Sequence, residues 1–315
     1  MSTVHHSVIL ESERHFGGKV PPRTCGLFLG QLDAQIRYSI SMAFRGASRP
    51  RGRTPRWLER ASDIRFVDLE GRDTTVLHFE APTFGNAAPE IYEQTEFWPS
   101  RPDPALTGFE VFADVLRDIT ARNRDSDRFD PSLLRSFRGF GRVFDGTFHE
   151  ARVEDLRGQQ PEFAVLATPT IENAKQLGAE APPARRVRVV GTLDMIRVST
   201  QGFAIRIDSS EEVRGVLVEG DVDSLAPLLN KRVAAEGSAV FRPSSGFLRL
   251  DADAVVSGEG VSALFSRVPT PLSRATRRKG FARPQTPSTG VNAFFGRWPG
   301  DETEEELLAA LDELG

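Results

Sequence analysis

The sequence predicts an α+β protein: an N-terminal α/β domain, a five-stranded β-barrel, and a C-terminal helical tail. Three observations carry this. Residues 185–256 alternate apolar and polar side chains in five short runs separated by turn signals, the period of half-buried strands. Residues 106–123 and the run from Pro131 carry apolar stripes at helical spacing. After Arg297 the chain turns acidic and places leucines at helical spacing.

The chain has 315 residues, enough for two domains and tails. Its 39% hydrophobic and 27% charged residues are those of ordinary cores under a solvated surface. A net charge of −4 predicts no general attraction to nucleic acid or to anionic membranes. The single cysteine, Cys25, excludes an internal disulfide and a cysteine-clustered zinc site. No run approaches the ~20 apolar residues of a membrane span. MSTVHHSVILESERHF has no basic stretch leading into an apolar core, so no signal peptide is expected. A cytoplasmic protein without membrane contact follows.

Residues 1–22 are expected to be a flexible start, and 23–178 an α+β domain. Leu32, Ala34, Ile36, Tyr38, Ile40, Met42 and Phe44 alternate without a break and predict a long strand. A helix through Leu32, Ile36 and Ile40 would put Tyr38 and Met42 on the opposite side. RGASRPRGRTPR follows, where Arg45, Arg49, Arg51, Arg53 and Arg56 stand in a Gly/Pro/Ser-rich loop with no acidic neighbour. They are the candidate nucleic-acid- or anion-binding residues, the other reading being a solvated loop.

Thr54–Arg60 can open a short helix, and residues 64–69 and 75–79 read as a hairpin. His78 and Glu80 share a strand face, a pair suited to metal or acid–base work, but with no third ligand in view. The loop-rich, aromatic stretch 81–104 places Trp98 before Pro99, where it is expected to be buried. Phe109, Phe112, Leu116 and Ile119 mark the helix of residues 106–123. Asp125, Asp127 and Asp130 have a spacing similar to that of a calcium loop, yet the central glycine and distal glutamate are missing. Asp130-Pro131 reads instead as an N-cap and first helical position. Leu133, Leu134, Phe137 and Phe140 follow on that helix. A strand near 147–153 and a helix near 171–177 complete the domain, and 179–186 reads as a linker.

The barrel, residues 187–258, begins with a strand at 187–198 whose alternation slips after Leu193, the mark of a bulge. Strands follow at 203–208 and 213–219, then a short helix from Asp223 or Ser224, then strands at 233–241 and 248–256 split by Pro243–Gly246. Three strands, a helix and two strands resemble the order of the OB-fold, a five-stranded barrel. Such barrels often bind single strands through a basic groove and stacking aromatics. Here ten Lys/Arg balance ten Asp/Glu over residues 185–256. Phe203, Phe241 and Phe247 read as core or turn-packing residues, and a protein-contact module fits better.

Residues 259–290 form a basic, Pro-rich linker. Residues 291–315 form the acidic tail, with seven Asp/Glu after Arg297. Asp301-x-x-Glu304 and Thr303-x-x-Glu306 are capping-box patterns. Leu307, Leu308, Leu311 and Leu314 make a stripe too short to stand alone, so it needs a groove. Phe294, Phe295, Trp298, Pro299 and Gly300 add anchors just before it.

AFFGRWPGDETEEELLAALDEL resembles the C-terminal segment of small bacterial antitoxins, which are often paired with PIN-domain ribonuclease toxins. The resemblance covers about 25 residues. It implies that Phe294, Phe295, Trp298, Pro299, Gly300, Asp301, Leu307, Leu308, Leu311 and Leu314 wrap a protein partner and block its site. Antitoxins of that kind are short chains with a DNA-binding N-terminus, whereas here a barrel and an α+β domain stand in that place.

No P-loop, dinucleotide fingerprint, nucleophile elbow or zinc-protease helix occurs, and no cofactor is expected. Of the five histidines, His5, His6 and His15 fall in the expected flexible start. The leading expectation is a non-enzymatic, antitoxin-like interaction protein. A nucleic-acid-binding OB-fold protein, or an enzyme with a carboxylate site in the N-terminal domain, are the alternatives.

Overall fold

The computed structural model describes residues 3–49, 54–71, 74–93, 101–144, 146–158 and 162–272. Arg51, Arg53, Trp98 and the tail residues 294–314 lie outside them.

The N-terminal half is a five-stranded antiparallel sheet with helices on one face. Its strands are β1 (Thr3–Glu11), β2 (Arg65–Glu70), β3 (Thr75–Pro82), β4 (Glu150–Asp155) and β5 (Glu162–Ala167), in the order β2-β3-β1-β4-β5. The expected flexible start is therefore corrected: β1 is the central strand, paired with β3 on one side and β4 on the other. Its inward residues are His6, Val8 and Leu10, all buried. The polar residues His5, His6 and Ser7 hide the pattern, because one of the three inward positions is itself a histidine flanked by His and Ser. The expected hairpin is present as β2 and β3.

A second correction concerns residues 32–44. They belong to α1 (Pro22–Arg45), a 24-residue helix and not a strand. Phe28, Leu32, Ile36, Ile40 and Phe44 are spaced four apart and buried on one face. Ala34, Tyr38 and Met42 are also four apart, on another side of the helix, where Met42 is buried and Ala34 and Tyr38 are half-buried. Two such series offset by two residues imitate a strand. The termini decide the matter: Pro22 sits at the first helical position, and Gly46 stops the helix in the left-handed region at φ 67°.

The remaining helices are short: α2 (Arg56–Ala61), the single turns α3 (Phe84–Ala87) and α4 (Pro89–Tyr92), α5 (Gly108–Thr120), α6 (Pro131–Ser136) and α7 (Thr168–Glu180). Thr107 caps α5 in a reciprocal capping box with Glu110. Gly108 lets α5 lie directly on α1, since a Cβ there would come within 2.5 Å of Ile36 Cγ2. Asp130 caps α6 through the amides of Ser132 and Leu133, as its sequence context predicts. A 3-10 turn, Phe137–Arg142, continues α6. Phe28, Phe109, Phe112, Phe137 and Phe140 fill the core between sheet and helices.

The barrel is closed. Its strands are β6 (Arg185–Arg197), β7 (Gly202–Arg206), β8 (Glu212–Leu217), β9 (Arg232–Phe241) and β10 (Phe247–Ser257). The closed order is β10-β8-β7-β6-β9, with β8 and β10 parallel and the other pairs antiparallel. This mixed arrangement is compatible with an OB-like barrel. The expected bulge falls between Leu193 and Met195. The expected helix between β8 and β9 is a 3-10 turn, Val222–Leu228, with Pro227 inside it. Phe203 and Phe241 are buried, and Phe247 packs at the edge of the barrel core.

Between α7 and β6 only residues 181–184 remain of the expected linker. The sheet domain and the barrel form one compact unit, Met1–Pro271. Among the described residues no helix is long and apolar enough to cross a membrane.

Candidate functional site

Two barrel connections meet the sheet domain. The β6–β7 connection offers its carbonyls: Trp57 Nε1 donates to Ser199 O at 2.9 Å, and Arg45 Nε to Thr200 O at 3.3 Å. The β9–β10 turn instead donates. Arg242 Nε donates to Asp127 Oδ1 at 2.7 Å, and Ser244 N to Arg124 O at 3.1 Å. Leu248, just beyond that turn, packs on the core of the sheet domain and not on the barrel's own.

At the centre of this junction is a buried ion pair. Arg249 of β10 reaches Asp130 at 3.0 Å, with Asp130 1% and Arg249 9% exposed. Asp130 also accepts from Ser48 Oγ at 2.7 Å and Ser48 N at 3.1 Å. Arg249 donates to Gly46 O at 2.9 Å and pairs with Asp251 at 2.6 Å. Burial alone would raise the Asp130 carboxyl, but Arg249, Ser48 and the helix amides outweigh it and hold it below the usual carboxylate range. One carboxylate thus ties the end of α1, the start of α6 and the barrel together.

Of the five arginines singled out in the sequence, Arg45, Arg49 and Arg56 are among the described residues, and their surroundings differ. Arg45 is buried in the junction, and desolvation lowers its guanidinium to about 10. Its Nη1 has no hydrogen-bond partner among the described residues, and it borders a small cavity of about 100 Å³ with Arg49, Arg249 and Asp251. Arg49 is exposed, with its guanidinium 4.3 Å from the centre of the Tyr38 ring. Arg56 is exposed at the start of α2. What the sequence reading missed is that Arg49 faces Arg135 and Arg138 across a second, larger cavity. The only signal for them is an Arg-x-x-Arg spacing across α6 and the 3-10 turn that continues it, at exposed positions between the buried Leu133, Leu134, Phe137 and Phe140.

The barrel surface carries no unpaired basic groove. Arg188 pairs with Glu236, Arg206 with Asp194, Arg214 with Glu212, Arg232 with Asp208 and Arg186 with Asp253. Most of the barrel's arginines thus sit in local pairs.

His78 and Glu80 turn to different partners, Glu70 at 3.0 Å and His5 at 3.7 Å. No group of three or more metal-capable side chains forms among the described residues. The more unusual histidine is His6. It is buried, stacks on Phe109 at 4.5 Å between ring centres, and contacts Thr107 Oγ1 at 3.0 Å. Because the Thr107 hydroxyl donates to Glu110 at 2.6 Å, it accepts from His6 Nε2, which assigns the tautomer and leaves Nδ1 without a hydrogen. Desolvation lowers its pKa against the pull of Glu110. This arrangement locks β1 to the start of α5 and is closed to solvent.

No known protein family, curated protein or solved structure matches the chain.

Proposed function

We propose that this protein is a non-enzymatic interaction protein whose acidic tail docks on, and inhibits, a protein partner in the manner of an antitoxin. The observation that supports it over a nucleic-acid-binding barrel is the use of the barrel's own connections. In OB-like barrels the loops between strands one and two and between strands four and five, flanking the strand two–three face, take the oligonucleotide. Here the equivalent connections are engaged by Trp57, Arg45, Asp127 and Arg124 of the same chain. Most of the barrel's arginines are also paired with carboxylates, which argues against a basic track. A barrel used this way is a protein-contact module.

The docking element in this reading is the tail, with Phe294, Phe295, Trp298, Pro299, Gly300 and Asp301 leading into Leu307, Leu308, Leu311 and Leu314. Its antitoxin-like pattern suggests a PIN-like nuclease as the partner. Each leucine buried at such an interface contributes roughly 1.5–3 kcal/mol. Leu307→Ala with Leu311→Ala should abolish capture of the partner from a lysate while leaving the melt of residues 1–271 unchanged. Capture of the same partner by a chain ending at Gly290 would refute the reading. So would tight retention of random single-stranded oligonucleotide at physiological salt.

A further inference from the structure

The larger cavity is a cleft of about 410 Å³ between α1 and the α6 segment, bordered by Gln35, Tyr38, Arg49, Arg135, Ser136 and Arg138. Among the described residues no carboxylate lines it. Most of the described arginines elsewhere are held by acidic neighbours, whereas Arg49, Arg135 and Arg138 have no acidic partner among the described residues. Its volume is within the range of small-molecule sites, roughly 300–1,000 Å³, but the lining is polar.

A second, independent feature is Gln35. It is 0% exposed, and its Nε2 donates to Ser136 Oγ at 2.7 Å. Ser136 in turn donates to Leu133 O, so its oxygen must accept and the orientation of the amide is determined. Gln35 Oε1 is then left buried with no partner among the described residues, in a residue that borders the cleft. A buried acceptor without a donor is costly, by about 1–3 kcal/mol, unless something supplies one.

We infer that this cleft binds a small phosphate monoester carrying a hydroxyl group, with Arg49, Arg135 and Arg138 on the phosphate and Gln35 Oε1 accepting from the hydroxyl. One guanidinium fork satisfies a carboxylate, whereas several suit a phosphate with three acceptor oxygens and a charge of about −1.5 to −2. Arg49 already lies over Tyr38, so that ring face offers no platform for a base. A sugar phosphate fits better than a nucleotide.

The test is calorimetric titration of the full chain with ribose 5-phosphate, inorganic phosphate and ribose. Ribose 5-phosphate should bind saturably, inorganic phosphate about tenfold more weakly, and ribose not at all. Arg135→Ala with Arg138→Ala should reduce affinity for both phosphates by about tenfold or more per guanidinium, with the melt unchanged because both side chains are exposed. Gln35→Met should bring ribose 5-phosphate down to the affinity of inorganic phosphate. Should that variant not fold, the arginine variants still decide. Absence of saturable ribose 5-phosphate binding, unchanged affinity in the double arginine variant, or displacement by a short oligonucleotide at lower concentration would each overturn the assignment.

Discussion

Arg249→Ala should be among the most damaging substitutions in residues 1–271. At the observed 3.0 Å, the attraction between Arg249 and Asp130 is about 5 kcal/mol at an effective dielectric of 20, opposed by several kcal/mol of desolvation for each ion. The intact pair therefore contributes little net stability. Removing one partner is different, because a charge stays buried alone, at about 3–5 kcal/mol. Asp130 would keep four donors, from Ser48 twice, Ser132 and Leu133, which places Arg249→Ala near the lower end. The lost bond to Gly46 O adds about 1 kcal/mol. Asp130→Asn should cost less, about 2 kcal/mol, because Arg249 retains Asp251. Urea unfolding of both single variants and the double variant gives the coupling, expected at about 2 kcal/mol. Arg242→Ala is the control: Asp127 is exposed, so the loss should stay under about 1 kcal/mol. Arg249→Ala should also split one unfolding transition into two, as the barrel melts apart from the sheet domain. A loss below about 1 kcal/mol for Arg249→Ala, or additivity in the double variant, would refute the keystone role of the pair.

Two further outcomes follow from buried groups. Burial keeps the His6 pKa below its unfolded value of 6.5, so the unfolded chain takes up the proton more readily. The stability tied to His6 is complete above pH 6.5 and is lost as the pH falls below it, by at most about 1.4 kcal/mol per unit. His6→Gln should flatten the urea midpoint between pH 7.5 and 5; an unchanged slope would show that His6 does not titrate there. Gly108→Ala should destabilise by about 1–3 kcal/mol, because the new methyl meets Ile36 and Ile40. Adding Ile36→Val should restore part of that loss in thermal unfolding, and no recovery would place the strain elsewhere.

The barrel was legible because each of its strands alternates on one face and is bounded by a turn residue. Even the bulge after Leu193 left a visible slip. The sheet domain was less so. Helix α1 carries two apolar series four residues apart, one buried and one mostly half-buried, and period two is contained within period four, so only Pro22 and Gly46 distinguish helix from strand. β1 was lost because one of its core positions is His6, whose burial depends on Thr107, a hundred residues away. The same distance hides the cleft. Arg49 and Arg135 are unremarkable apart, and only the packing of α6 along α1 brings them to one cavity. The tail pattern, by contrast, is entirely a property of sequence.

The position of β1 also governs the order in which the chain can be completed. Residues 3–11 are synthesised before the other strands of their sheet, yet their partners on one side are residues 150–153. The hairpins β2–β3 and β4–β5 can close from neighbouring segments as soon as each is made. The central strand can dock on β3 early but has an open edge until β4 arrives, with the intervening helices synthesised in the meantime. Across that interval a nascent chain presents an unpaired strand edge containing Val8 and Leu10, a template for pairing with another chain. A slow, long-range closure of this kind makes yield during synthesis, more than the stability of the finished fold, the quantity most exposed to changes in β1.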